Sequence, residues 1–433
     1  SGKTECSVIP IFSHVKKMKE QGKIKVLYIT PLRALNRDVF RRIIKYAEQD
    51  CLTIQIRHGD TSQTMRKKIS DSPPDILITT PETLVILLTQ KKMLTALSEL
   101  EWVIIDEVHE LLASERGSQL SLSLERLQLN SNQKIIRNGL SATIGNTDEA
   151  AKFLVGTNRP CEIVQDKTIR NYQVEVKFVG GSISEVADSI IQYVEKLNLD
   201  SPILLFTNTR GESEFLASIL KEKTTMNIEL HHGSLSKQVR EETESVLRSG
   251  ANGIVVCTSS LELGLDIGSV ELVIHYGSPR QVSKLVQRIG RSRHSKNSSA
   301  RGLVISNSGD DEFEATAILD RIKNSSIEEQ KINEKSLDVL AHHLVGLSLQ
   351  IGEVTVDFAY KIIKQAYPFR NLTLDEFCSV LEILDSIYIL FFDKEKMKFW
   401  KKRNAYRYYY ENLSTIPDIL KFKVFDSVGK KII

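Results

Sequence analysis

The chain has 433 residues, 41% of them hydrophobic and 26% charged, with a formal net charge of +3. This is the balance of a globular protein of two to four domains, and no apolar run approaches the ~18 residues that would read as a membrane span. A charge this close to zero neither demands nor excludes nucleic acid, so such a partner must be held by local basic and backbone groups rather than by a global field.

In chain order, β-branched apolar runs at 25–30, 75–80, 102–106 and 134–140 alternate with helical stretches. The pattern resumes at 203–206, 228–231, 253–257, 272–275 and 303–306. Continuous apolar strands separated by helices predict parallel sheets covered on both faces, joined by right-handed crossovers. A poorly periodic stretch at 158–171 divides the two sets. The fold class is therefore α/β, with two tandem doubly wound parallel-sheet domains at 1–165 and 166–325.

Residues 324–335 are polar and read as a linker. Residues 326–410 read as a third, mainly helical domain with only short strand candidates. Leu337, Leu340, Leu344, Leu347 and Leu349 mark one buried helix face. Thr373, with Glu376 three residues on, predicts a capped helix start. Residues 411–433 read as the start of a further domain. Cys6, Cys51, Cys161, Cys257 and Cys378 are scattered without a CxxC pair. That spacing predicts reduced thiols in a cytoplasmic compartment rather than a zinc site or disulfide framework.

The chain opens Ser1-Gly2-Lys3-Thr4, the second half of a G-x-x-x-x-G-K-[ST] phosphate loop. Glycine lets the backbone approach phosphates, Lys3 would reach the β- and γ-phosphates, and Thr4 would offer its hydroxyl to Mg²⁺. Helix residues after Thr4, Glu5 first, would aim free N–H groups at the anion. Four residues alone are weak evidence. The strand 102–106 adds to them, because it delivers Asp106 and Glu107 at its carboxyl end, where such sheets bind ligands. Asp106 would hold the metal, and Glu107 would orient and deprotonate an attacking water.

With Asp106-Glu107-Val108-His109 as a DExH box, Ser141-Ala142-Thr143 as a SAT motif and Gln287-Arg288-Ile289-Gly290-Arg291 as a QRxGR motif, the chain resembles the superfamily 2 helicases. Finer features are similar to the large helicase-related (Lhr) family of archaea and bacteria. They are Pro31-Leu32-Arg33-Ala34-Leu35-Asn36-Arg37-Asp38, His58-Gly59-Asp60-Thr61, Thr80-Pro81-Glu82, His231-His232-Gly233-Ser234-Leu235-Ser236, and the run from Thr258 through Gly264 and Asp266 to Gly268. The resemblance is strong over 1–325 and looser beyond.

This resemblance implies RecA-like α/β domains and a winged-helix-like third domain. It implies an ATP- and Mg²⁺-dependent 3′→5′ DNA helicase or translocase in DNA repair or recombination, working as a monomeric core on single-stranded or forked DNA. RNA or an RNA–DNA hybrid is the alternative substrate, and an ATP-gated clamp without unwinding is the alternative activity. It also implies that the phosphate loop's first glycine, the strand before it and the adenine-contacting segment precede Ser1, so that the chain is truncated at both ends.

Residue by residue, the family puts Gly264 and Asp266 on the second domain's side of the ATP cleft, with Gln287 and His109 near the nucleotide. It puts Ser141, Ala142 and Thr143 with His109 in coupling hydrolysis to nucleic acid. Arg288 and Arg291 would reach across on closure, Arg291 as the main finger. One departure stands out: the superfamily's further arginine is replaced by His294, with Arg293 just before it. Arg33, Thr80, Pro81 and Glu82 would form the first domain's phosphate track, and Asn208, Thr209, Arg210, Thr258 and Ser259 the second's. Only 269–286 separate the GxD and QRxGR motifs, too short for a strand-splitting hairpin after a strand, a turn and a helix. The adjacent His342 and His343 point to different helix faces and do not make a metal pair. The aromatic-basic run from Trp400 to Tyr410 suits either base stacking or a buried interdomain segment, and the second reading is the one taken.

Overall fold

The computed structural model describes residues 2–18, 21–165, 172–199, 201–262, 270–292, 300–324 and 326–413. Ser1, Gly264, Asp266, Arg293, His294 and residues 414–433 lie outside this set, as does most of the further domain expected from 411.

The first sheet is wholly parallel. It contains β1 (Val26–Ile29), β2 (Ile54–Arg57), β3 (Ile76–Thr79), β4 (Trp102–Ile105) and β5 (Ile136–Gly139) in the order β2-β3-β1-β4-β5. Every residue of β1 and β3 is buried, and alternate side chains enter opposite cores, as a strand's two-residue period requires. Val26, Tyr28, Ile76 and Ile104 meet α1 (Lys3–Val15) and α2 (Arg33–Gln49) on one face. Leu27, Ile29, Val103 and Ile105 meet the helix Glu115–Asn130 on the other. Two further helices complete the upper rim, α3 (Gln63–Asp71) after β2 and α4 (Pro81–Leu87) after β3.

The second sheet is also parallel. Its strands are β6 (Tyr172–Phe178), β7 (Ile203–Phe206), β8 (Ile228–His231), β9 (Ile254–Cys257), β10 (Leu272–Tyr276) and β11 (Ala300–Ser306), in the order β6-β11-β10-β7-β9-β8. The sequence reading missed β2 and β6. Both are edge strands with half-exposed positions, as are β5 and β8, which were read; a half-exposed strand lacks the continuous apolar run of a central parallel strand, so its sequence shows it only in some cases. Between β10 and the helix Val282–Ile289 lies only a short turn, with Gly277 and Arg280 at positive φ. No hairpin projects from the described residues 270–286.

The third domain packs the helices Leu337–Ile351, Val356–Gln365 and Leu374–Ser386 against a small antiparallel sheet. The sheet holds β12 (Val354–Thr355), β13 (Leu390–Asp393) and β14 (Lys398–Lys401) in the order β12-β14-β13, which is the wing of a winged helix. Thr373 caps its helix: the Glu376 N–H donates to Thr373 Oγ1 (3.2 Å), and the Thr373 N–H donates to the Glu376 carboxylate (2.8 Å). Leu340, Leu344 and Leu347 are fully buried. Leu337 is exposed instead, because it opens the helix one turn before the core begins. Of the aromatic run, Tyr409 is buried, whereas Tyr406 and Tyr410 are exposed and Trp400 stacks on Phe391 at 4.4 Å. The expectation of buried aromatics thus holds for one helix face only, since a seven-residue helix cannot bury every side chain.

This third domain is built onto the first. Its core includes Val85 of α4 and Leu122 of the helix Glu115–Asn130. The segment 326–335 returns the chain from the second domain to the first: Glu328 accepts from the N–H and hydroxyl of Ser283 (3.1 and 2.7 Å), and Ser118 Oγ donates to the Asn333 carbonyl (2.8 Å). Among the described residues no helix is long and apolar enough to cross a membrane.

Candidate active site and nucleic-acid interface

Parallel strands bring their carboxyl ends to one rim, which is where loops can gather functional groups. On the first domain, Gly2 has φ 72°, a left-handed conformation that favours glycine, and α1 follows at once. The first intrahelical bond runs from the Cys6 N–H to the Gly2 carbonyl (2.9 Å). The N–H groups of Lys3, Thr4 and Glu5 therefore precede the helix ladder, as at any helix start. Lys3 Nζ donates to the Ser141 carbonyl (2.8 Å), spanning the gap between the loop and the SAT segment.

The Tyr28 hydroxyl donates to Asp106 Oδ2 (2.8 Å), and the buried Thr4 side chain lies near enough to act on the same hydroxyl. Thr4 and Asp106 thus both neighbour one phenolic oxygen. Burial, Asp106 itself and the hydrogen bond between them hold the Tyr28 hydroxyl well above its ordinary pKa. Burial and the adjacent Glu107 raise the Asp106 carboxyl. Both shifts describe a pocket with too little positive charge for its acids, the environment that a divalent cation would relieve. Glu107 sits at φ 49°, the kink that turns its side chain away from the strand direction. Its carboxylate lies 3.5 Å from His109 Nδ1, which in turn lies 3.1 Å from Ser141 Oγ. The Ala142 N–H points at the same nitrogen (3.4 Å), and Nε2 lies 3.4 Å from Glu110. The Glu5 side chain is engaged elsewhere. Arg42 grips both of its carboxylate oxygens (2.9 Å each), which lowers its pKa against the effect of burial and leaves only its backbone N–H for a phosphate.

On the second domain, Gln287 is half-buried and its Oε1 has no hydrogen-bond partner among the described residues. Arg291 Nη2 donates to the Glu262 carbonyl (2.8 Å). Arg288, expected to reach across the cleft, is buried inside the second domain. Its guanidinium donates to Glu262 Oε2 (2.8 and 3.1 Å), stacks over Phe206 and abuts His275 Nε2. A guanidinium is stable in an apolar interior only with such a partner, and Glu262 supplies it. His275 is held neutral, its pKa lowered to about 3 by burial and by Arg288. The ring donates from Nδ1 to the Gly277 carbonyl (2.8 Å) and accepts on the other nitrogen.

The expected phosphate track also rests on the strand ends, but its side chains are not equivalent. Arg33 is exposed and paired with Asp60 (2.6 Å). Thr80 faces inward, with its hydroxyl on Thr83 Oγ1 (3.2 Å), and Pro81 opens α4 and is buried. Glu82 holds Arg116 (2.6 Å), whose other arm donates to the Pro31 carbonyl (2.6 Å). Thr80 and Glu82 thus shape the track from beneath. Asn208, Thr209 and Arg210 are exposed at the end of β7, where Thr209 caps its helix with Glu212. Thr258 and Ser259 follow β9. Sequence reasoning missed Tyr28, Arg42, Arg116 and Glu262. Each acts on a motif residue from outside the motif's functional positions, and only Glu262, inside the Thr258–Gly268 run, carried any signal.

Tandem parallel sheets whose rims carry a phosphate loop, a DExH box and an arginine-bearing QRxGR helix are the architecture of a superfamily 2 helicase motor. Three family models match along the chain. A DEAD/DEAH box helicase domain covers 1–150, a helicase conserved C-terminal domain covers 185–295, and the winged helix domain of large helicase-related proteins covers 320–421. The chain is 37% identical over 447 residues to the ATP-dependent helicase Lhr-Core of Methanocaldococcus jannaschii, covering 96% of this chain and 53% of that relative. It is 32% identical to the Lhr helicase/uracil glycosylase of Escherichia coli, over 84% of this chain and 28% of that protein. The Mycobacterium smegmatis helicase Lhr, solved bound to ssDNA and AMP-PNP, superposes with a TM-score of 0.85 at 31% identity, over 99% of this chain and 58% of that one. The chain belongs to the large helicase-related (Lhr) family of ATP-dependent helicases. It spans about half the length of the first curated relatives it matches.

Proposed function

We propose that the whole protein hydrolyses ATP to drive 3′→5′ movement along single-stranded DNA, and that it separates strands in DNA repair or recombination. The observation that carries this reading is the gathering on one rim of Lys3, which reaches the Ser141 carbonyl, and Asp106, held by the Tyr28 hydroxyl, with Glu107 one residue further on. Lys3 and the first N–H groups of α1 bind the phosphates. Thr4 and Asp106 would hold Mg²⁺, which when bound neutralises charge on the β- and γ-phosphate oxygens. Glu107 orients a water and accepts its proton on the carboxylate. The His109 ring lies between Glu107 and Ser141, so displacement of the SAT segment is felt at the base. Gln287 completes the cleft from the second domain, the side to which the family resemblance also assigns Gly264 and Asp266. Arg291 meets the γ-phosphate on closure, stabilising charge that builds there. We assign the finger to Arg291 alone, since Arg288 is committed to Glu262.

Arg33 and the α4 rim on one domain, and Asn208 to Arg210 with Thr258 and Ser259 on the other, grip backbone phosphates without reading bases. Closure alters the spacing of the two tracks, a hinge motion. The polarity and the cellular pathway rest on family resemblance. One observation favours a second reading, an ATP-gated clamp: a short turn joins β10 to its helix, and no strand-splitting hairpin stands among residues 270–286.

Turnover by the full-length protein, with and without single-stranded DNA or RNA, tests the first reading. Glu107→Gln should retain nucleotide binding and lose at least ~100-fold in turnover. Turnover indifferent to nucleic acid sinks the motor. Stimulated turnover without strand displacement selects the clamp.

A further inference from the structure

A cavity of about 350 Å³ opens between α3 and α4 at the carboxyl end of β2, clear of the groups assigned to ATP. Its lining includes Arg57, Arg66 and Lys67, with Gln63, Thr83 and Gln90, and contains no aspartate or glutamate. Arg57 is 5% exposed. One arm of its guanidinium donates to Gln90 Oε1 (2.6 Å), while Nη1 is buried without a hydrogen-bond partner. Its neighbouring charge is another cation, Arg66, which donates to the Gly59 carbonyl (2.5 Å) at the mouth. Burial and then Arg66 lower the Arg57 pKa to about 10, which still leaves it charged at neutral pH.

Two other buried guanidinium groups are given a carboxylate. Arg137 is given Glu125 (2.9 Å) and Arg288 is given Glu262 (2.8 Å). Arg126, like Arg57, is buried with one guanidinium nitrogen, Nη2, lacking a hydrogen-bond partner among the described residues, but its other nitrogens bond Gln350 and Tyr409. A buried cation without a counter-ion is costly, and a cavity walled by three cations is where one would be supplied. The planar guanidinium fork suits phosphate oxygens.

We propose that this cavity binds a phosphate-class anion, and that in the working protein the anion is a backbone phosphodiester of the bound strand. The anion site stands on the cavity alone; its assignment to the strand rests on the motor reading. It would carry the first domain's track past Thr80 toward the third domain, whose Tyr410 hydroxyl meets Thr89 just beyond Gln90 (3.1 Å).

The test uses the full-length protein, with Arg57→Gln and Lys67→Gln. Lys67 is exposed, so its variant keeps the test usable if the buried change weakens folding. In the first arm, the thermal midpoint is followed against inorganic phosphate at fixed ionic strength. Phosphate should raise the midpoint, and both variants should lose the part of the rise that the ATP site does not supply. In the second arm, oligo-dT affinity is measured against salt. Each variant should flatten the log–log slope by about 0.7, the value for one single-strand phosphate contact. Loss in both arms supports the strand assignment. Loss in the first arm alone keeps the anion site and identifies its ligand as free phosphate. If neither variant changes either arm, the site does not exist. Should the wild type not bind DNA at all, the motor reading fails while the first arm still decides the site.

Discussion

The first domain meets its two neighbours in opposite ways. Against the third domain it shares a core, with Val85 and Leu122 among that domain's own leucines and phenylalanines. A chain of buried polar groups lies beside it. Arg126 donates to Gln350 and Tyr409, Tyr409 donates to the Val85 carbonyl (2.8 Å), and His342 stacks on the Tyr409 ring at 4.2 Å. Against the second domain it offers Leu35, buried among Leu204, Phe206 and Leu261 with Ala34 beside it, the partly exposed Arg37–Glu241 pair (2.7 Å), and the crossing strap where Glu328 passes Gly145. A large apolar core flanked by buried hydrogen bonds resists opening, whereas a smaller contact of mixed apolar and polar groups opens more cheaply. The difference gives the proposed motor one fixed seam and one that can work as a hinge.

The fixed seam is the place to look for the largest effect. Tyr409→Ala removes a fully buried ring and the donor to Val85, and should cost about 4 kcal/mol in denaturant unfolding. A loss below ~1 kcal/mol would show that the third domain is merely tethered. The seam should also be the more acid-sensitive one. Burial lowers the pKa of His342 to about 4, and burial, Arg126 and His342 push that of His343 well below its ordinary 6.5. The unfolded chain takes up these protons near 6.5 and the folded seam only far lower. Stability is therefore full above 6.5 and lost as pH falls toward 4, by on the order of 3 kcal/mol for His342. His342→Gln, which can still donate to the Tyr409 carbonyl, should flatten the unfolding midpoint over that range.

Effects at the hinge should be smaller in stability and visible in turnover. A Cβ at Gly145 would lie 2.5 Å from the Glu328 carbonyl oxygen, next to the SAT segment. Gly145→Val should displace the strap and cut DNA-stimulated turnover about ten-fold, equivalent to ~1.4 kcal/mol. Unaltered stimulation would mean that the strap does not couple the domains. Arg37→Ala should change stability by less than ~1 kcal/mol, and less again at high salt, because the pair is partly open to solvent. A larger loss would show that the hinge is stiffer than its contacts indicate.

The central strands were legible in the sequence because parallel strands buried on both faces need unbroken apolar runs, as in the Val26–Ile29 and Ile254–Cys257 segments. The phosphate loop and the DExH box were legible because their chemistry depends on short spacings. Edge strands β2 and β6 were not, although edge strands β5 and β8 were, since half-exposed residues blur the pattern without always erasing it. The inward turn of Thr80 and the capture of Glu5 by Arg42 were also hidden, because a motif fixes a residue's place on the rim but not its hydrogen-bond partner.

What the sequence by itself determined was therefore local: the order of strands and helices, the position of each motif at a strand end, and the family that this spacing defines. The tertiary structure alone decided which charges have partners. Arg288 finds Glu262 and withdraws from the cleft, Arg126 finds Tyr409 across 283 residues, and Arg57 finds no carboxylate. The physical reason is that hydrophobic periodicity and turn chemistry act over a few residues, whereas the cost of burying a charge depends on whatever the fold brings within about 4 Å of it.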